Sequence, residues 1–151
     1  SLLVAGTGSI VYQNGTDSLN KNYTSRTALS YLVEKLRQHD HTDGISIREL
    51  DGIPSLVLYE EQNGTHYCTY LYFYDGALRE LFTQTANVPS ADMGTVIAEL
   101  SGFTFSVEST PGGSESVLLI TVTDTEGRDN TARIHLSAAS LSITEIIFKE
   151  H

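Results

Sequence analysis

From Leu19 to Gln38 the chain contains neither Gly nor Pro, and apolar side chains fall at Leu19, Tyr23, Leu29, Leu32, Val33 and Leu36. The last four follow the i, i+3, i+4, i+7 spacing that lines one face of an α-helix, with Lys21, Arg26, Glu34, Lys35 and Arg37 off that stripe. The turn cluster Asn14-Gly15-Thr16-Asp17-Ser18 precedes it, so Asp17 or Ser18 is the expected cap. His39-Asp40-His41-Thr42-Asp43-Gly44 ends it with polar, turn-forming residues.

After Gly44 the period changes to two. Ile45–Leu50 alternates, Asp51-Gly52 is a turn signal, and Ser55–Glu60 reads as a strand. Asn63-Gly64 and Asp75-Gly76 suit type I′ turns, in which both central residues take positive φ. They bracket a long strand from His66 to Tyr74 and lead into Ala77–Phe82, so Leu56–Phe82 reads as a three-stranded meander. Ala86–Ser101, with Pro89, Gly94 and Val96–Leu100, reads as a loop with about one helical turn. Phe103/Phe105/Val107, Leu118/Ile120/Val122 and Ala132/Ile134/Leu136/Ala138 then supply the inner faces of three more strands, and Leu141–His151 a last edge strand. Clean alternation implies a sheet buried on one face, and the helix is the obvious cover. The expected fold is therefore α+β: one N-terminal amphipathic helix on a mostly antiparallel sheet of about six or seven strands, in a single domain over residues 1–151.

Nine basic against nineteen acidic residues give a net charge of −10, with no basic cluster, which argues against nucleic acid and anionic surfaces as partners. A single cysteine, Cys68, rules out an internal disulfide and a thiolate metal cage. The apolar stretch Leu2–Tyr12 is too short to span a bilayer; residues 1–17 read as the remnant of an upstream apolar segment, the end of a signal sequence, or an ordinary strand or terminus.

Candidate chemistry is sparse. His39, His41 and Asp43, with Asp40 between them, are the one dense set of metal-ligand types, but polar residues belong at a helix end and histidine there suits the dipole. Cys68 and His66 share a strand face, yet no third orienting group or nucleophile elbow accompanies them, and a buried small hydrophobe is the better reading. Gly6-Thr7-Gly8-Ser9 lacks the lysine of a phosphate loop. Tyr70, Tyr72 and Tyr74 share one face of the aromatic strand; strand propensity and packing are the better explanation for them, and they would form a ligand platform only if exposed together. Asn14, Asn22 and Asn63 sit in the glycosylation acceptor pattern, of which Asn14 and Asn63 read as turn residues. No catalytic residue, metal or cofactor is expected.

The order of elements carries a resemblance. The helix ends in Tyr31-Leu32-Val33-Glu34-Lys35-Leu36-Arg37-Gln38-His39-Asp40, and the meander holds Tyr70-Leu71-Tyr72-Phe73-Tyr74-Asp75-Gly76-Ala77-Leu78-Arg79. In this the chain resembles the soluble portion of type IV pilin-like proteins, minor pseudopilins of the secretion or competence type in particular. It is also similar to membrane-anchored proteins of Gram-positive gut bacteria that share the helix ending. The specific part covers residues 28–82. The resemblance implies a non-enzymatic, extracytoplasmic, cell-surface assembly subunit that works through protein partners of a filament or a secretion or competence machinery. Any membrane anchor would lie upstream. Gly6, Gly8 and Asn14-Gly15 interrupt a continuous helix and leave open a tethered domain that never polymerises. The contact residues so implied are Tyr31, Arg37, Asp40, Asp75 and Arg79; the alternative is a ligand-binding module using Tyr70, Tyr72 and Tyr74.

Overall fold

In the computed structural model, residues 23–109 and 115–143 are described. They form one helix, α1 (Ser25–Gln38), and nine strands: β1 (Ile45–Leu50), β2 (Ile53–Gln62), β3 (Thr65–Tyr74), β4 (Ala77–Gln84), β5 (Thr95–Glu99), β6 (Gly102–Ser109), β7 (Glu115–Thr123), β8 (Asp129–Ser137) and β9 (Leu141–Ile143). The apolar stretch Leu2–Tyr12, the capping candidates Asp17 and Ser18 and the tail beyond Ile143 lie outside the described residues. The cap that forms is Thr24, whose Oγ1 accepts the N–H of Thr27 at 3.2 Å.

The strands do not share one sheet. A six-stranded sheet runs β5-β4-β3-β2-β1-β9, and a separate three-stranded sheet runs β6-β7-β8. Every pairing is antiparallel except β1 with β9. This corrects the expected fold of one sheet roofed by a helix in the pilin manner: the molecule is β-rich and two-sheeted. Alternation tells which face of a strand is buried but not which strands hydrogen-bond. The chain leaves the large sheet after β5 and starts the second one at Gly102. Val96–Leu100, expected to be loop or a helical turn, supplies β5 instead; the expected turn is the short 3-10 segment Ala91–Met93.

The hairpins follow local chemistry. Asp51-Gly52, Asn63-Gly64 and Asp75-Gly76 all take positive φ at both positions, the type I′ geometry that matches strand twist. Their regular register puts Ile45, Ile47, Leu56, Leu58, Leu71 and Leu78 on one face of the large sheet. That face meets Leu118, Ile120, Val122, Ile134 and Leu136 of the small sheet and Ala28, Leu32 and Leu36 of α1 in one buried cluster. The helix is thus core to both sheets: Tyr23 N–H donates to Ile97 O at 2.9 Å, and Asn130 Nδ2 donates to Ser25 Oγ at 3.0 Å. Ile97 is the extra residue of a bulge in the β4–β5 pairing, and the bulge leaves its carbonyl for the chain entering α1. Among the described residues no helix is long and apolar enough to cross a membrane.

Candidate functional site

The other face of the large sheet carries its own small cluster, Leu50, Tyr72, Leu81 and Ala91. The loop from Thr85 to Gly94 folds across it. Tyr72 Oη donates to Ala91 O at 2.6 Å, and the Asp51 carboxylate accepts the Ala91 N–H at 2.7 Å. Gly94 lies so close to the Tyr72 hydroxyl that a Cβ there would approach it to 2.3 Å. Tyr72 is therefore fully buried, and Tyr70 and Tyr74 are half-buried around it. The exposed platform of Tyr70, Tyr72 and Tyr74 does not form.

The aromatic surface that does form is on the helix-facing side. Tyr67 of β3 and Phe82 of β4 stack with centroids 5.2 Å apart and planes 14° from parallel. Phe82 is 54 % exposed, the one exposed phenylalanine among the described residues. The reason is in the pairing: β5 begins at Thr95, opposite Glu80, so β4 has no paired neighbour on that side beyond Glu80. The loop to β5 crosses the opposite face. Glu80, Phe82 and Gln84 point the same way along β4, while Glu60, Tyr67 and Gln84 form one row across β2, β3 and β4. This open end of the sheet is a shelf of two stacked rings bordered by carboxylates and amides.

Helix side chains brace its inner margin. Tyr31 Oη donates to Glu80 Oε1 at 2.7 Å and Lys35 Nζ lies 3.0 Å from Glu80 Oε2, with the ammonium 5.8 Å from the centre of the Tyr31 ring. His39 is buried; its Nδ1 lies 2.8 Å from Lys35 O and its Nε2 3.5 Å from Glu60 Oε1. The hydrogen bond from His39 holds the Glu60 carboxyl below the ordinary glutamate value against the opposing effect of burial, and Gln62 Nε2 adds a 2.6 Å bond.

The remaining predicted residues are placed as structural links. Arg37 is exposed on α1. The Asp40 carboxylate accepts the Ser137 N–H at 3.1 Å and the Ser140 hydroxyl, tying the helix end to the segment before β9. Asp75 occupies a type I′ turn with φ 51°. Arg79 donates to Tyr74 O and Gly94 O at 3.1 and 3.3 Å, and its guanidinium lies over the Tyr74 ring. His41 Nδ1 lies 3.4 Å from Thr42 O, and Asp43 takes φ 56° in the turn. His39, His41 and Asp43 are not assembled as a ligand set; among the described residues no group of three His, Cys, Asp or Glu could hold a metal ion. Cys68 is buried, and that burial pushes its thiol up, away from the reactive thiolate. Of the predicted contact residues, the structure brings Tyr31 alone to the margin of the shelf. Phe82 went unrecognised because its exposure depends on where a neighbouring strand starts.

The fold and site define a β-rich, two-sheet domain with one core helix and a single open aromatic shelf among the described residues. The chain belongs to a family described as a domain of unknown function (DUF4860), whose profile matches residues 23–125, from the approach to α1 to the loop after β7. No curated protein and no solved structure matches it.

Proposed function

We propose that this domain is a non-enzymatic, extracytoplasmic recognition subunit that works by surface contact, and that the Tyr67–Phe82 shelf is its contact surface. The observation that carries this is Phe82 itself, a large ring left 54 % exposed and stacked on a second aromatic. A contiguous apolar patch rimmed by polar residues is the kind of surface that marks an interaction site, and two stacked rings are its smallest aromatic form. The non-catalytic reading draws support from the engagement of the candidate nucleophile, acid and base groups in structural links or burial. It keeps the contact-making role implied by the pilin-type resemblance without that family's single-sheet fold. The extracytoplasmic placement rests on the same resemblance.

A photoreactive benzoylphenylalanine placed at Phe82 in the full-length protein, in living cells, tests this. A discrete crosslinked adduct is expected from that position. The same probe at Thr104, on the outer face of the small sheet, is expected to give none. Equal labelling at both positions, or none at Phe82, would overturn the assignment.

A further inference from the structure

We propose that Met93 is a reversible oxidation site, and that its sulfoxide loosens the turn that holds the Thr85–Gly94 loop down on Tyr72. The shelf lies on the other face of the sheet and plays no part in this. Met93 is the chain's only methionine and is 63 % exposed, so an oxidant reaches it without unfolding. Its sulfur has a structural partner. The Ser90 N–H donates to Met93 Sδ at 3.3 Å, and the Met93 N–H donates to Ser90 O at 3.1 Å, so the two residues close the 3-10 turn Ala91–Met93 on each other. Between them, Ala91 makes both bonds to the sheet described above, one with the Tyr72 hydroxyl and one with the Asp51 carboxylate. The thioether thus helps to fix the turn that covers Tyr72.

The oxidant is a peroxide, with hydrogen peroxide the simplest. A sulfur lone pair attacks one peroxide oxygen, and the S–O bond forms as the O–O bond breaks. The second oxygen leaves as water, taking the proton of the first. The sulfur is oxidised by two electrons and the peroxide is reduced by two. A methionine sulfoxide reductase restores the thioether, its thiols becoming a disulfide and the oxygen leaving as water. Oxidation disturbs the turn for a geometric reason. The 3.3 Å between Ser90 N and the sulfur leaves no room for an oxygen between them. The turn cannot retreat towards the sheet, because a Cβ on Gly94 would already lie 2.3 Å from the Tyr72 hydroxyl. If the new oxygen faces solvent instead, the sulfur left beside the Ser90 N–H carries partial positive charge and no longer attracts it. In both arrangements the present contact is lost, and a flexible apolar side chain has become a polar one.

Treatment of the full chain with hydrogen peroxide, followed by peptide mass mapping and amide-resolved hydrogen exchange, tests the proposal. Met93 is expected to gain one oxygen while the buried Cys68 stays unmodified. Exchange at the Ser90, Ala91 and Met93 amides should then quicken about two- to ten-fold, the range for one lost hydrogen bond, with the β7 amides unchanged. A methionine sulfoxide reductase with a dithiol should return the native pattern. Met93→Leu, at an exposed position that tolerates the change, should fold and show no response to peroxide. A Met93 that resists peroxide under conditions that oxidise free methionine would overturn the site. A sulfoxide that leaves exchange at Ser90–Met93 unchanged or slower would overturn the loosening. An equal response from Met93→Leu would do the same, since the effect would then come from another residue, and so would an equal acceleration in β7, which would mark a global rather than a local change.

Discussion

His39 and Glu60 show how a single contact joins local and long-range structure. Lys35 O and the Glu60 carboxylate can both only accept, so making both contacts requires a hydrogen on His39 Nδ1, 2.8 Å from Lys35 O, and another on Nε2, which turns towards Glu60. The contact joins the end of α1 to β2. Because the folded state holds the Glu60 carboxyl low, folding favours its charged form. The resulting stabilisation is fully present above the ordinary glutamate value of about 4.5 and is lost as pH falls through the lower folded value. Glu60→Gln should therefore be less stable than the native chain near pH 6. That difference should shrink as the pH drops below 4.5, as urea unfolding midpoints measured across pH would show. A gap that stayed constant would mean that the link is steric rather than ionic. Gly44 adds a second constraint at the same corner: a Cβ there would lie 2.1 Å from His39 O, so no larger residue fits without moving the backbone.

At the scale of the element, α1 is the piece whose local signal was strongest and whose role was least local. Its stripe, its polar flank and its end at Gln38 were legible from spacing and turn residues. Its start lay later than the Gly- and Pro-free run implied, because the Thr24 hydroxyl and the Ile97 carbonyl engage the chain there. Leu32 is fully buried where both sheets and the helix meet. Leu32→Ala should cost about 3 kcal/mol through lost transfer energy and the cavity left behind. Denaturant unfolding followed by far-ultraviolet circular dichroism and by tyrosine fluorescence should move together in that variant, since the helix side chains pack on both sheets. Separate transitions would show that the two sheets fold independently.

For the whole molecule, the charge imbalance read from composition has a consequence that the fold sharpens. With a net charge of −10 on one small domain and few cations to offset it, self-repulsion favours the unfolded chain when screening is weak. Raising sodium chloride from about 10 mM to about 200 mM shortens the screening length from roughly 30 Å to under 10 Å. The thermal midpoint should rise by roughly 2–5 °C over that range if a stabilisation of about 1 kcal/mol results. A midpoint that fell instead would mean that attractive ion pairs such as Lys35–Glu80 outweigh the net repulsion.

The chain alone determined what depends on neighbours in sequence. The period of 3.6 before Gly44, the period of two after it, and three type I′ turns at Asp-Gly and Asn-Gly pairs are local steric and solvation effects. They set the register of β1 to β4 and which side chains share a face. Tertiary structure decided the rest: the splitting of nine strands between two sheets, the parallel return of β9 beside β1, the burial of Tyr72 under Ala91, and the exposure of Phe82. Each turns on hydrogen bonds or contacts between distant segments. A two-residue alternation is the same whichever partner strand lies alongside, and a ring is exposed or buried only by what is, or is not, placed next to it.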